Sequence, residues 1–512
     1  MKIIVDIICE LLKKIKYNFE FWLKIDDGYK LLQVEELILR IFQKVSGKVM
    51  GELLKGLCNN KELESKAIEL ALKKRPWLKI ARYENVNIKL LSGLTVKVRT
   101  LYMCVDRKKC PGRKKKKRVR GKGGSGCYPV LSMLGINHRA TPGLISEISR
   151  QVILQSSMEM ARKELSRRGI ELDIKIIHNL SLYFGQEAIE YREKLIKNYG
   201  NKSLESGNIL RGKIVVLCLD GGRVQVRTGG KRGLRGKSGR RKFKPKWKEP
   251  KLLRIYVIDS NGHKISREID FIDGTMGDSD ELMKLVYTYL TVFGIEEAEK
   301  LIVIADGAPW IWNRIKELRT QFKFPKEKVI EILDFYHGVE YLSSVMEECK
   351  NWSEGKKKRW LNRQRKRLKE GHFKKLINAI KQLCKGKRAK AIRKVIEYFQ
   401  EHRERMRYSD FKKAGYPIGS GAIESAVRRV VNLRMKGPGM FWLPESAEAF
   451  LHIRAQLLSG RWDNLCKQSF SEDEHQFEDL YFQEEETNIV SLEDWKKQRI
   501  KANEINDRER AA

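Results

Sequence analysis

The sequence predicts a mixed α/β fold: a core built on a mixed sheet, interrupted by an all-helical insertion and preceded by mainly helical regions. Three observations carry this. Four short, continuous apolar runs each end in an aspartate, as strands buried on both faces do. A long stretch of helical periodicity rich in Lys and Arg separates the last of them from a final glycine-punctuated helix. The chain ahead of the first run is patterned mostly at helical spacing.

At 512 residues the chain exceeds one ordinary core, and usual domain sizes suggest roughly three to four units. Hydrophobic residues at 41% and aromatics at 9% suffice for globular cores despite 33% charged residues. Lys plus Arg number 105 against 65 for Asp plus Glu, a net charge of +40, with a pI near 9.8. That excess is the electrostatic footprint of a nucleic-acid partner. A membrane surface or an acidic protein would also attract it, but the basic residues cluster inside a mixed α/β pattern and flank no long apolar span. The apolar start (Ile3, Ile4, Val5, Ile7, Ile8) is broken by Asp6 and Glu10 with no small-residue cleavage site after it, so no signal peptide is expected. Nine cysteines without a CxxC spacing suggest reduced thiols. The expected compartment is the cytoplasm, in association with the nucleoid.

In residues 1–83, Val34, Leu37, Ile38, Ile41, Phe42 and Val45, then Leu53, Leu54 and Leu57, predict a helical region. Residues 84–130 begin at Asn85 with strand-like alternation: Val86, Ile88 and Leu90 precede Ser92-Gly93, and Val96, Val98 and Leu101 follow it, the mark of a hairpin. A basic stretch over 107–122, with eleven Lys or Arg in sixteen residues, leads into Gly-Gly-Ser-Gly and reads as a flexible loop. In residues 131–205 the stretch 158–184 reads as a helix, a turn at Gly169 and a second helix. A DNA-binding helix-turn-helix and an ordinary helical hairpin both fit it, and no base contact is assigned.

Residues 206–337 and 415–465 carry the expected core. "KIVVLCLD" ends at Asp220, "LIVIAD" at Asp306, "VIEILD" at Asp334 and "LLRIYVID" at Asp259. A helical stretch over 280–298 with Leu282, Leu285, Val286 and Leu290 lies among them, giving a mixed sheet; ligands of such sheets sit beyond the carboxyl ends of strands. Asp259 precedes Ser-Asn-Gly and reads as a turn residue, and Asp270, Asp273, Asp278 and Asp280 read as a loop and a helix start. Residues 338–414 form the basic helical insertion. A helix then begins near Ser420 with Ile423, Val427, Val430 and Val431 on one face and Glu424 in its first turn. Beyond Cys466 apolar periodicity fades, and 471–486 holds eight acidic and no Lys or Arg residues, so 466–512 reads as a loosely attached tail.

Phosphodiester cleavage without a covalent intermediate needs an activated nucleophile and a stabilised leaving oxygen, which two metal ions supply. Mg²⁺, for which Mn²⁺ can substitute, takes a few carboxylates plus substrate phosphates. Acidic residues at strand ends in a basic chain are the expected sign, and Asp220, Asp306 and Glu424 fit as catalytic residues and metal ligands. Each has a plainer structural role open to it: Asp220-Gly221-Gly222 and Asp306-Gly307 are good turn sequences, and Glu424 could pair with Arg428 or favour a helix N-terminus. Together, in so basic a chain, the metal reading leads.

"LDGGRV", "IADGAPWIWN", "ILDFYHGVEYL" and "GYPIGSGAIESAVRRVVNLRMKGPGMFW", followed by "LHIRAQLLSGRWDNL", resemble in order the motifs of ISKra-type bacterial insertion-sequence transposases. These are DDE enzymes related in architecture to the Mutator-like group. The resemblance covers about residues 213–465. It implies a ribonuclease-H-like core with the carboxylates at Asp220, Asp306 and Glu424, DNA strand cleavage and transfer, and a homodimer on DNA that holds two element ends. It also implies an Asp-x-x-His element, matched by Asp334 and His337, supporting the metal site or positioning DNA; for His337 a structural hydrogen bond at a strand end is the alternative.

Phosphate contacts give affinity without sequence information. Two uncompensated basic stretches are candidates: 107–122, with Lys114, Lys115, Lys116 and Lys117, and 227–248, with Arg232, Arg240, Arg241 and Lys242. Arg428 joins them. Trp360, set among basic residues, is a candidate to meet DNA, whereas Trp310, Trp312 and Trp352 stay open between core and base stacking. Cys104, Cys110, Cys127 and His138 are spaced poorly for zinc, and none is expected. The alternatives to a transposase are a nuclease or junction resolvase on the same fold, or a DNA-binding protein with a dead site.

Overall fold

The computed structural model describes residues 25–106, 108–109, 126–228, 243–265 and 268–471, with scattered positions before residue 25. These fall within one compact unit, Met1–Asp473. Helix α1 (Gly28–Asn59) is capped by Asp27, whose carboxylate accepts from the Lys30 amide, and α2 (Lys61–Lys74) by Asn60. The second half of α1 packs on the antiparallel hairpin of β1 (Leu78–Lys89) and β2 (Thr95–Val105). Gly47 and Gly51 permit this approach, since a Cβ there would run into Ser92 and Val96. Leu54, Cys58 and Ala67 of the helices meet Val86, Ile88 and Val98 of the hairpin in one core. β1 begins at Leu78, ahead of the expected Asn85, because its first half is exposed and pairs without apolar alternation.

A helical layer follows: α3 (Pro129–Met133), α4 (Pro142–Leu154), α5 (Met158–Arg167) and α6 (Ile174–Gly200). Gly169, at φ +75°, lies in the turn between α5 and α6. Helix α6 runs for 27 residues and buries Ile177, Leu180, Phe184 and Ala188. It spends its apolar face on the core, as an ordinary helical pair does.

Strand β3 (Ile214–Gly221) starts the main sheet; β4 (Val224–Thr228) and β5 (Lys244–Lys248) make a separate two-stranded hairpin. With β6 (Lys251–Ile258), β7 (Asp270–Thr275), β8 (Lys300–Ala305) and β9 (Val329–Leu333), the main sheet has the order β7-β6-β3-β8-β9. β3 runs antiparallel to β6 and β6 to β7, whereas β8 and β9 run parallel to β3. Helix α7 (Ser279–Phe293) connects β7 to β8, and α8 (Pro309–Gln321) connects β8 to β9. The fold is thus mixed α/β around a mixed five-stranded sheet.

The stretch holding Asp270 and Asp273, expected as a loop, is strand β7. Its carboxylates are neutralised inside the fold by residues distant in sequence. Asp270 pairs with Arg254 at 2.7 Å. Asp273 is fully buried, accepts from the Tyr289 hydroxyl at 2.6 Å and lies 2.9 Å from His452 Nδ1. Asp278 caps α7 and Asp280 lies in its first turn, as a helix start requires.

The insertion is helical throughout: α9 (Phe335–Glu347), α10 (Glu354–Lys369), α11 (Phe373–Lys381), α12 (Ala389–Glu401) and α13 (Tyr408–Lys413). The chain returns to the sheet with α14 (Gly421–Val427), extended by a π-helical turn, Arg428–Asn432, and ends in α15 (Pro444–Leu458) and α16 (Trp462–Phe470). Helix α16 continues past Cys466, where periodicity was expected to end, because Phe470 stacks on Phe184 at 5.6 Å between centroids. The acidic segment over 472–486 lies outside the described residues. No helix among the described residues is long and apolar enough to cross a membrane.

Candidate active site

Asp220 is the next-to-last residue of β3, and Asp306 and Asp334 directly follow β8 and β9. The register pairs Leu219 with Ala305 and Ala305 with Leu333. The next position on each strand is an aspartate, so the three lie level at the carboxyl ends of adjacent parallel strands. Asp220 and Asp306 are each followed by a glycine in a crowded place, and Asp334 by Phe335. A Cβ on Gly307 would collide with the Tyr398 ring, and one on Gly221 with the Glu249 carboxylate.

Glu424 arrives on α14, whose approach is fixed from three sides. The Phe335 amide donates to the Ile418 carbonyl at 2.9 Å. Arg254 Nη1 donates to the Ala422 carbonyl at 2.5 Å. Ser420 Oγ stands 2.7 Å from Asp334 Oδ2 and 2.8 Å from Glu424 Oε1. Asp334 is only 4% exposed, and its Oδ1 also accepts from the Tyr336 and Ser420 amides. Its role is therefore positional: it joins the end of β9 to the start of the helix that carries Glu424.

Burial, and then the charges of Asp306, Glu424 and Glu249, push the Asp220 carboxyl up to about 6, against the lowering effect of the Gly221 amide. This is the behaviour of a carboxylate crowded by others. Asp220 Oδ1 accepts from Gly221 and Asp306 Oδ1 from Ala308. Among the described residues, the second oxygens of Asp220, Asp306 and Glu424 accept from no protein donor. Among the described residues no group of three or more His, Cys, Asp or Glu side chains is placed to hold a metal ion, Asp220, Asp306 and Glu424 included.

Four residues at this site were not singled out from the sequence. Glu249 extends the acidic cluster, Arg254 and Ser420 hold α14, and Tyr398 reaches in from α12. The Tyr398 hydroxyl is buried without a hydrogen-bond partner among the described residues, and its ring stacks on Tyr341 at 3.7 Å. Only Ser420 carried a signal, as the polar residue between two glycines in the motif ahead of Glu424.

His337 lies in the first turn of α9, where Nδ1 meets Glu340 Oε2 at 3.2 Å and the ring packs on Tyr341. Trp312 is core, 3% exposed, with Nε1 donating to the Asp306 carbonyl. Trp310 lies under the Lys251 ammonium, and Trp360 packs on Trp352 in the insertion. Arg428 is exposed at the end of α14. Lys114, Lys115, Lys116, Lys117, Arg232, Arg240, Arg241, Lys242 and Cys110 lie outside the described residues. Cys104 lies in β2, and Cys127 pairs through its backbone with the neighbouring Met103.

The chain matches no protein-family model and no curated protein.

Proposed function

We propose that this chain is a DNA transposase of a bacterial insertion sequence, cutting and joining phosphodiester bonds at Asp220, Asp306 and Glu424. The observation that carries the reading is the level placement of Asp220 and Asp306 on adjacent parallel strands, with Glu424 brought beside them on α14. A mixed five-stranded sheet of three antiparallel strands followed by two parallel ones, with the first strand central, supports a ribonuclease-H-like core, as does the motif resemblance. The net charge of +40 supports DNA as the partner.

In this reading Asp220, Asp306 and Glu424 would hold Mg²⁺ or Mn²⁺, which supplies an activated nucleophile and a neutralised leaving oxygen. The residues of the chain do the rest. Ser420, Asp334 and Arg254 orient the helix of Glu424, and Trp312 fixes the Asp306 backbone. A homodimer on DNA would hold two element ends.

The test is cleavage and strand transfer by the purified chain on DNA flanking its own reading frame. Asp220→Ala, Asp306→Ala and Glu424→Ala should bind this DNA at least as well as the parent and neither nick nor join it. Wild-type cleavage in EDTA, or strand transfer by any of the three, would sink the assignment. Cleavage without joined products would favour a nuclease or resolvase.

A further inference from the structure

Away from the carboxylates, a cavity of about 360 Å³ opens where α5 and α6 meet the β4–β5 hairpin and the loop before α15. Its lining includes His178, Arg227, Arg434, Phe441, Trp442 and Ser446. The hairpin is fastened to this wall: the Arg227 amide donates to the Trp442 carbonyl at 2.8 Å, and the Trp442 amide to the Gln225 carbonyl at 3.0 Å. Phe243 of the hairpin packs against Phe441 at 5.0 Å, with the Arg227 guanidinium 4.5 Å from the Phe243 ring.

The charge at this site is unbalanced. Arg434 is 4% exposed, donates from Nε to the Val152 carbonyl and lies 5.2 Å from the Trp442 ring. Arg454, 6% exposed, donates to the Arg429 carbonyl. Burial, and then Arg454, pushes Arg434 down to about 10; burial, and then Arg429, does the same to Arg454. No carboxylate among the described residues pairs with any of the three. Arg454 also donates to the Ile153 carbonyl, so both buried guanidiniums meet carbonyls of the last turn of α4, the negative end of that helix, which offsets part of their charge without a carboxylate. Ser446, 3% exposed, has a hydroxyl with no hydrogen-bond partner among the described residues.

We propose that this cavity holds one unpaired nucleotide of a DNA strand, its base within the wall of His178, Phe441 and Trp442 and its phosphate on Arg434 and Arg227. An aromatic wall beside paired guanidiniums recognises that combination, and the volume falls within the range of small-ligand sites, roughly 300–1,000 Å³. The strand is favoured over a free nucleotide because the cavity shares its elements with the candidate active site. β4 begins four residues after Asp220, and Arg434 lies ten after Glu424. Gly222 packs directly on Val431, between the two. The proposal rests on the reading of DNA as substrate, but its test does not depend on cleavage.

The experiment measures binding of the full chain to a short fluorescent single strand, to the matching duplex and, by competition, to dAMP. Arg227→Ala and Arg434→Met should each weaken single-strand binding about tenfold or more, with duplex binding changed less than about twofold. Because Arg434→Met also loses the bond to the Val152 carbonyl, melting curves of both variants show that the loss of binding is not a loss of fold. Parent-like single-strand affinity in Arg227→Ala and Arg434→Met overturns the proposal. So does equal loss of single-strand and duplex binding. If dAMP displaces the strand and binds as tightly, a free nucleotide is the occupant and the strand assignment falls. Asp259→Ala, in an exposed turn, is the control that should bind the single strand like the parent; since binding is read without cleavage, failure here and failure of the cleavage assay are told apart.

Discussion

The Ser420 hydroxyl stands 2.7 Å from Asp334 Oδ2, inside the fold, and the same oxygen lies 2.8 Å from Glu424. One hydroxyl proton serves two carboxylates. The hydroxyl therefore ties Glu424, at the start of its helix, to the buried carboxylate at the end of β9.

Ser420→Ala removes this link. It should lower stability by about 1–2 kcal/mol, the cost of a lost donor to a buried carboxylate. If cleavage depends on Glu424, it should lower the rate by about tenfold or more, and Ser420→Thr should restore much of both. Melting curves and single-turnover cleavage check this; a full rate in Ser420→Ala would mean that α14 is held well enough by Arg254 and the Phe335 amide alone.

Asp220 predicts a pH dependence. Its folded value of about 6 lies above the ordinary 3.8, so between these the folded chain retains a proton that the unfolded chain has lost. Stability then falls as pH rises through that window. Asp220→Asn should melt higher than the parent above pH about 6, by at most about 3 kcal/mol before solvent screening is discounted, and the difference should fade toward pH about 4. Mn²⁺ should stabilise the parent more at pH about 8 than at pH about 5, and only toward pH about 5 should its binding release a proton. No metal-dependent shift would argue against the carboxylates as a cation site.

Asp273 should matter to stability alone. Asp273→Ala removes the buried partner of His452, while Arg192, 3.8 Å from Asp273, keeps Glu448 at 2.5 Å, a loss of about 3–5 kcal/mol. Asp259, by contrast, only organises an exposed turn through the Asn261 and His263 amides. Asp259→Ala should cost little and leave any cleavage intact. Denaturant titrations of both variants test the contrast.

Neutralising Lys114, Lys115, Lys116 and Lys117 should weaken binding to all DNA sequences about equally and flatten the salt dependence by roughly one unit per lost phosphate contact. Titrations at several salt concentrations measure this. An unchanged slope would make the stretch a solvated loop.

β3, β8 and β9 were legible in the sequence because strands buried on both faces are continuously apolar, and each stops at its aspartate. The helical insertion and α14 were legible from periodicity and glycine punctuation. β7 was not, because Asp270 and Asp273 read as polar loop residues until Arg254, His452 and Tyr289 are known to surround them. The sequence by itself determined the mixed α/β class, the basic charge and three separated carboxylates with spare chemistry. Only the tertiary structure decided that Asp220 and Asp306 lie level, that Ser420 bridges Asp334 to Glu424, and that Arg434 is buried against the last turn of α4. Hydrophobic patterning reports burial along one segment at a time. Which polar groups meet depends on strand register and on helices arriving from distant parts of the chain, and pairwise electrostatics acquires its strength only after that burial.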